Sequence, residues 1–192
     1  MSGYTNTVFE ELYSSFAAAT TTTPAAAAAS ITAGLPPLVI PGGYMGKLGN
    51  QCSSLRVMMG GQMTATATVP TWLFGIAFTS AVPPAFSAAT PLGATAAFTP
   101  VAGAGAYFWA QIDIGLRAIA PGAASTVVTT GKFEGPLFPS PFYQTLPATN
   151  IAPAVATWET DLQYFLWPYV TLGAATAGNT VSLHWAKIYG EN

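Results

Sequence analysis

Charge is scarce in this sequence: 12 of its 192 residues are Asp, Glu, Lys or Arg. That is 6%, where a soluble domain carries about 25%. A folded monomer of 19.7 kDa exposes about 8,500 Å² by size scaling, so each charge serves about 700 Å² even if all point outward. Such a skin does little to oppose association. The expectation is that copies of the chain, or a larger scaffold, cover much of it. The basic residues Lys47, Arg56, Arg117, Lys132 and Lys187 are scattered, and the net charge is −2. Phosphate backbones require clustered cations, so nucleic acid is not an expected partner.

Cysteine and histidine are as scarce. Cys52 stands alone, which excludes an internal disulfide and fits folding in a reducing cytosol. No His or basic residue adjoins it to activate a thiolate, so it reads as a packing residue. One His and one Cys cannot build a zinc site, and the seven acids are too dispersed for calcium. Gly42-Gly43 and Gly60-Gly61 match neither a phosphate loop nor a dinucleotide fingerprint. No metal or cofactor is expected.

Two pairs invite a catalytic reading. Ser182 precedes His184 by two residues, which on a regular strand separates them by about 7 Å, too far for a nucleophile and its base. Glu159 and Asp161 share that offset. Carboxylates that cleave glycosides face each other across a cleft, so this pair reads as a solvated strand face or as partners for Arg56 or Arg117. The expectation is a protein that is not an enzyme.

Val57 to Ile112 is free of charge, yet Pro70, Pro83, Pro84, Pro91 and Pro100 break every window of about 20 residues that a membrane helix needs. The N-terminal stretch has no basic flank before Lys47. The expected chain is soluble when made, with no export signal and no membrane span.

What remains is an arm and approach segment over 1–50 and a β-patterned domain over 51–192. Thr7 to Glu10 has capping-box spacing, and Phe9, Leu12, Tyr13 and Phe16 fall on one helical face. This predicts a short helix. Past Ala17–Ala19, Thr20–Thr23 and Pro24 break any continuation, and Ala25–Ala29 fits a second short helix or an extended strand. Beyond it the period is two. Trp72, Phe74, Ile76 and Phe78 share one face. Ala110, Ile112, Ile114, Leu116 and Ala118 oppose Gln111, Asp113 and Arg117. Gln62–Val69, Ser125–Phe133, Trp158–Thr171 and Asn179–Tyr189 alternate similarly. With Leu55–Met59 and a weak strand near Ala94–Thr99, about eight strands with Gly/Pro-rich turns predict an all-β, antiparallel β-sandwich of jelly-roll type. Most aromatics belong to its core. Trp167-Pro168-Tyr169, near a strand end, is a candidate sugar-stacking platform.

The order of several short motifs carries a resemblance. Ile40-Pro41-Gly42-Gly43-Tyr44, Gly46-Lys47, Leu55-Arg56-Val57 and Gly60 lead into the domain. Thr66 to Thr71 precedes Trp72–Phe78, Trp109–Arg117 precedes Thr130-Gly131, and Asn179-Thr180-Val181 opens the last strand. Over residues 35–192 this series resembles the jelly-roll head-decoration, or minor capsid, proteins of tailed bacteriophages. The resemblance implies a homotrimer made in the host cytoplasm that binds the major capsid protein lattice on the virion surface and braces it. It implies no catalytic residue. Low charge and the Ala/Thr-rich arm depart from that pattern. Phe9, Leu12, Tyr13 and Phe16 are the expected anchoring residues of the arm. Two other readings are a tail, fibre or host-surface module that binds glycan on Trp167 and Tyr169, and a jelly-roll major coat subunit.

Overall fold

The structure is a computed structural model that describes residues 9–16, 27–32, 35–45, 54–67, 70–118, 125–140, 142–148, 155–174 and 176–191. Among these residues the regular elements are strands and one 3-10 turn, Phe86–Ala88. The strands are β1 (Phe9–Ser15), β2 (Ala29–Ser30), β3 (Leu38–Ile40), β4 (Ser54–Ala65), β5 (Trp72–Thr79) and β6 (Thr90–Ala94). They continue as β7 (Gly103–Ala118), β8 (Ser125–Glu134), β9 (Tyr143–Leu146), β10 (Val155–Trp158), β11 (Tyr164–Leu172) and β12 (Thr180–Glu191).

They form two antiparallel sheets packed as a sandwich. The first runs β1-β12-β4-β7-β8-β10, with β9 also on β8, and the second runs β2-β11-β5-β6, with β3 also on β11. In the first sheet the last strand, β12, lies between β1 and β4, and the chain crosses to the second sheet through β5 and β6 before returning as β7 beside β4. Alternation drives the assembly. Phe108, Ala110, Ile112 and Ile114 of β7 are buried, while Tyr107, Trp109, Gln111 and Asp113 point away from the core. Phe74 of β5 joins the layers, with ring centroids 5.0 Å from Phe133, 5.7 Å from Phe108 and 5.9 Å from Phe138. A second cluster closes the other end, with Trp158 4.0 Å from Tyr164 and Phe78 5.6 Å from Trp158.

Several sequence expectations are corrected. Phe9–Ser15 is a strand paired with β12, not a helix. Seven residues make a marginal helix in water, whereas the edge of β12 offers this segment a full ladder of backbone hydrogen bonds. The β1 register slips between Glu11 and Tyr13, so adjacent Leu12 and Tyr13 both pack against the core. That bulge imitates helical spacing. Trp158–Thr171 is two strands: β10 pairs in the first sheet and β11 in the second, with a turn between them. The weak strand is β6, ending at Ala94, and Phe98 makes only an isolated bridge to Trp72. The Pro-rich, uncharged stretch 137–153 contains β9. Thr7, Thr20–Thr23, Pro24, Lys47 and Cys52 lie outside the described residues, as does the side chain of Phe9.

Candidate interaction surfaces

The two sheets divide the charge unequally. Nine of the twelve charged residues stand on strands of the first sheet: Glu10, Glu11, Arg56, Asp113, Arg117, Lys132, Glu134, Lys187 and Glu191. Lys47 is not described, and Glu159 and Asp161 lie in the turn after β10. No strand of the second sheet contains a charged residue.

The outer side of that second sheet is built from small and aromatic residues. Tyr169 of β11 lies over Gly75 of β5, where a Cβ would sit 2.4 Å from its ring. Burial, with Tyr169 only 7% exposed, pushes its phenol above the ordinary value. The 3-10 turn folds over this side, setting Phe86 5.9 Å from Tyr169 and 6.3 Å from Trp167. The Trp167 Nε1 is buried and has no hydrogen-bond partner among the described residues. Beside these rings is an open, mainly apolar cavity of about 460 Å³ lined by Leu73, Ala77, Phe86, Pro91, Tyr169 and Thr171, among others. Trp167 and Tyr169 are thus neighbours, but the packing of Phe86 and Gly75 leaves Tyr169 little open face.

The outer side of the first sheet is polar and ion-paired. Arg56 Nε donates to Asp113 at 2.7 Å, and Arg56 Nη1 lies 3.0 Å from Glu191 Oε1, an ion pair whose angles fall short of a hydrogen bond. The Asp113 carboxylate holds the Arg56 guanidinium above its ordinary value. Lys132 pairs with Glu134, and Lys187 Nζ donates to Glu11 at 3.0 Å. The Arg56 partners are therefore Asp113 and Glu191, not Glu159 or Asp161.

A bulge in β12 reshapes this face. The register slips between Leu183 and Trp185, opposite Gly60 and Gly61. His184 and Trp185 consequently both leave the core, between buried Leu183 and Ala186. The kink also corrects the expected separation of Ser182 and His184: Oγ and Nε2 are 3.2 Å apart and hydrogen-bonded. No carboxylate among the described residues bonds the other ring nitrogen, and Tyr107 meets the imidazole edge-on at 5.9 Å. Glu159 and Asp161 occupy a turn rather than a strand face. Glu159 lines a cavity of about 250 Å³, and Asp161 is not among its lining residues.

Of the expected anchoring residues, Leu12 and Tyr13 pack against the core, and the Tyr13 hydroxyl donates to Pro36 O at 2.9 Å. Phe16 is 71% exposed, with Lys187 Nζ 5.1 Å from its ring centre.

No family model matches the chain. No curated protein matches it either. Among solved structures, it is similar to a protein of unknown function from Shewanella oneidensis MR-1, at 12% identity and a TM-score of 0.34. The match covers 73% of this chain and 59% of that one.

Sequence reasoning missed Tyr107, Trp109, Tyr143 and Trp185 as a surface group. The first two were legible as the outward positions of β7, because their neighbours Phe108 and Ala110 carry the apolar phase. The bulge that turns Trp185 outward depends on β4, a partner strand remote in sequence, and Tyr143 reaches the face through β9, a short strand within a Pro-rich stretch.

Proposed function

We propose that this chain is a structural virion protein, a capsid decoration protein that binds an assembled phage head and stabilises it. The observation that carries the reading is the segregation of charge onto one sheet, with an uncharged outer side on the other. Long-lived interfaces are larger and more apolar than transient ones, commonly above about 2,000 Å², and charge is depleted at their cores. An uncharged sheet beside an apolar cavity suits such a contact. In this reading the second sheet seats on the coat lattice and on neighbouring copies in a homotrimer. The ion-paired first sheet faces solvent at the virion surface. Binding only the assembled shell stabilises that shell by mass action. The motif series over residues 35–192 supports the same role, and no catalytic step is part of it.

The test is co-sedimentation with undecorated heads of the phage that carries the protein, comparing wild type with Thr171→Glu. Thr171 is half-buried on the uncharged side and lines its cavity. Saturable occupancy by the wild type, reduced at least tenfold in the variant while its circular dichroism is unchanged, is the expected result. Equal occupancy by both proteins contradicts the assigned face. No binding to the heads contradicts the function, and closed shells formed by the purified protein alone would identify a coat subunit instead.

A further inference from the structure

The first sheet carries an aromatic group that docking through the second sheet leaves unused. Tyr107 is 66% exposed, Tyr143 40% and Trp109 37%. Pairing aligns them across the outer face. Trp185 lies opposite Gly60, Gly60 opposite Trp109, Trp109 opposite Glu134, and Glu134 opposite Tyr143. Tyr107 lies on the same side of β7, two residues before Trp109, opposite Gln62.

Tyr107, Trp109 and Trp185 have packing partners before any ligand arrives. Lys132 Nζ sits 5.0 Å from the Trp109 ring centre, a cation–π contact. His184 meets Tyr107 at an interplanar angle of 84°. The Trp185 indole occupies the space that a side chain at Gly60 would fill, 2.6 Å from the position of a Cβ. Ordered rings reduce the entropy lost on binding.

We propose that this face binds a neutral oligosaccharide, stacking sugar rings on Tyr107, Trp109 and Tyr143. Three features select that chemistry. First, polar side chains share the face with the rings: Gln62 lies opposite Tyr107, Ser182 opposite Gln62, and Gln111 two residues after Trp109, with Gln111 donating to Asp113 and Ser182 bonded to His184 through one atom each. Such groups recognise hydroxyls and break the contiguous apolar area that a protein partner would cover. Second, the cations nearest the rings are engaged: Lys132 by Glu134, Lys187 by Glu11, and Arg56 by Asp113 and Glu191, while the exposed Arg117 stands eight residues beyond Trp109 on β7. A phosphate or sulfate chain therefore meets no free cluster of positive charge, which stacking alone does not replace. Third, Tyr107 and Trp109 are separated by about 7 Å along the strand, and Trp109 and Tyr143 by about 10 Å across two strand spacings. That span exceeds one sugar ring and calls for a chain of them. The inference stands independently of docking by the second sheet.

The experiment is a glycan array of neutral and acidic oligosaccharides, followed by titration of the strongest neutral probe monitored by tryptophan fluorescence. The proteins are wild type, Tyr107→Ala, Trp109→Ala and Trp167→Ala, each checked for folding by circular dichroism. The two exposed-ring variants keep the test usable if either one misfolds. Binding of a neutral oligosaccharide, weakened at least tenfold by Tyr107→Ala or Trp109→Ala and unchanged by Trp167→Ala, is the expected outcome. No neutral glycan bound, or binding confined to acidic glycans, overturns the proposal. So does loss on Trp167→Ala alone, which moves the site to the second sheet. Loss of head occupancy in Trp109→Ala without glycan binding identifies a protein contact and overturns it as well.

Discussion

At Gly75 the second sheet is only as wide as a hydrogen atom allows, because the Tyr169 ring fills the place of a side chain. Gly75→Ala forces that ring to move, and overpacking of this kind costs about 1–3 kcal/mol. Gly115 is the matched control, since nothing lies within 4 Å of a Cβ there. Gly115→Ala in the strand interior is expected to be neutral or to stabilise by about 0.5–1 kcal/mol. Denaturant unfolding of the two variants checks both, and equal effects would contradict the close approach. Phe74, touching rings from both layers, is the largest single packing contribution expected: Phe74→Ala should cost about 3–5 kcal/mol. Inward residues such as Phe74 and Ile112 were legible because alternation is a local property. The partners of Arg56 were not, since Asp113 and Glu191 are brought to it by pairing across β7 and β12.

Among the elements, β1 shows best how the sequence misleads. Phe9, Leu12, Tyr13 and Phe16 have helical spacing, but a bulge produces the same adjacency on a strand by shifting the alternation by one residue. The bulge at His184 defeated the estimated Ser182–His184 distance in the same way. Both misses share one cause: a period of two is legible only while its phase is unbroken. Because β1 covers an edge of β12 and β2 pairs with β11, deleting residues 1–34 should reduce the β signal rather than spare it. The attachment of β1 is also sensitive to acid. A hydrogen bond from Lys187 holds the Glu11 carboxyl below its ordinary value, so its contribution is present above the unfolded pKa and is lost as pH falls through the folded one. The Glu11 bond likewise raises Lys187, placing the alkaline limit above the ordinary lysine range. Hydrogen exchange, corrected for intrinsic rates, should show β1 amides losing protection relative to β4 as pH falls below about 4. A constant ratio would contradict the pairing.

For the whole molecule, low charge led to the expectation of a covered surface without assigning it to a side. The uneven distribution of charge became readable only once pairing had sorted the strands, because β4, β7, β8 and β12 span most of the chain and are adjacent in one sheet. The sandwich class was legible from alternation and turns; sheet membership was not, since β10 and β11 look like one continuous strand. The resulting two-sided molecule has an uncharged side that should associate and an ion-paired side that should not. The most direct test is the solution mass by light scattering over a hundredfold range of concentration, for wild type and Thr171→Glu. A wild-type trimer that persists on dilution, and a variant of monomer mass, is the predicted result. A wild type that remains a monomer throughout would contradict the claim that the uncharged sheet is an association surface.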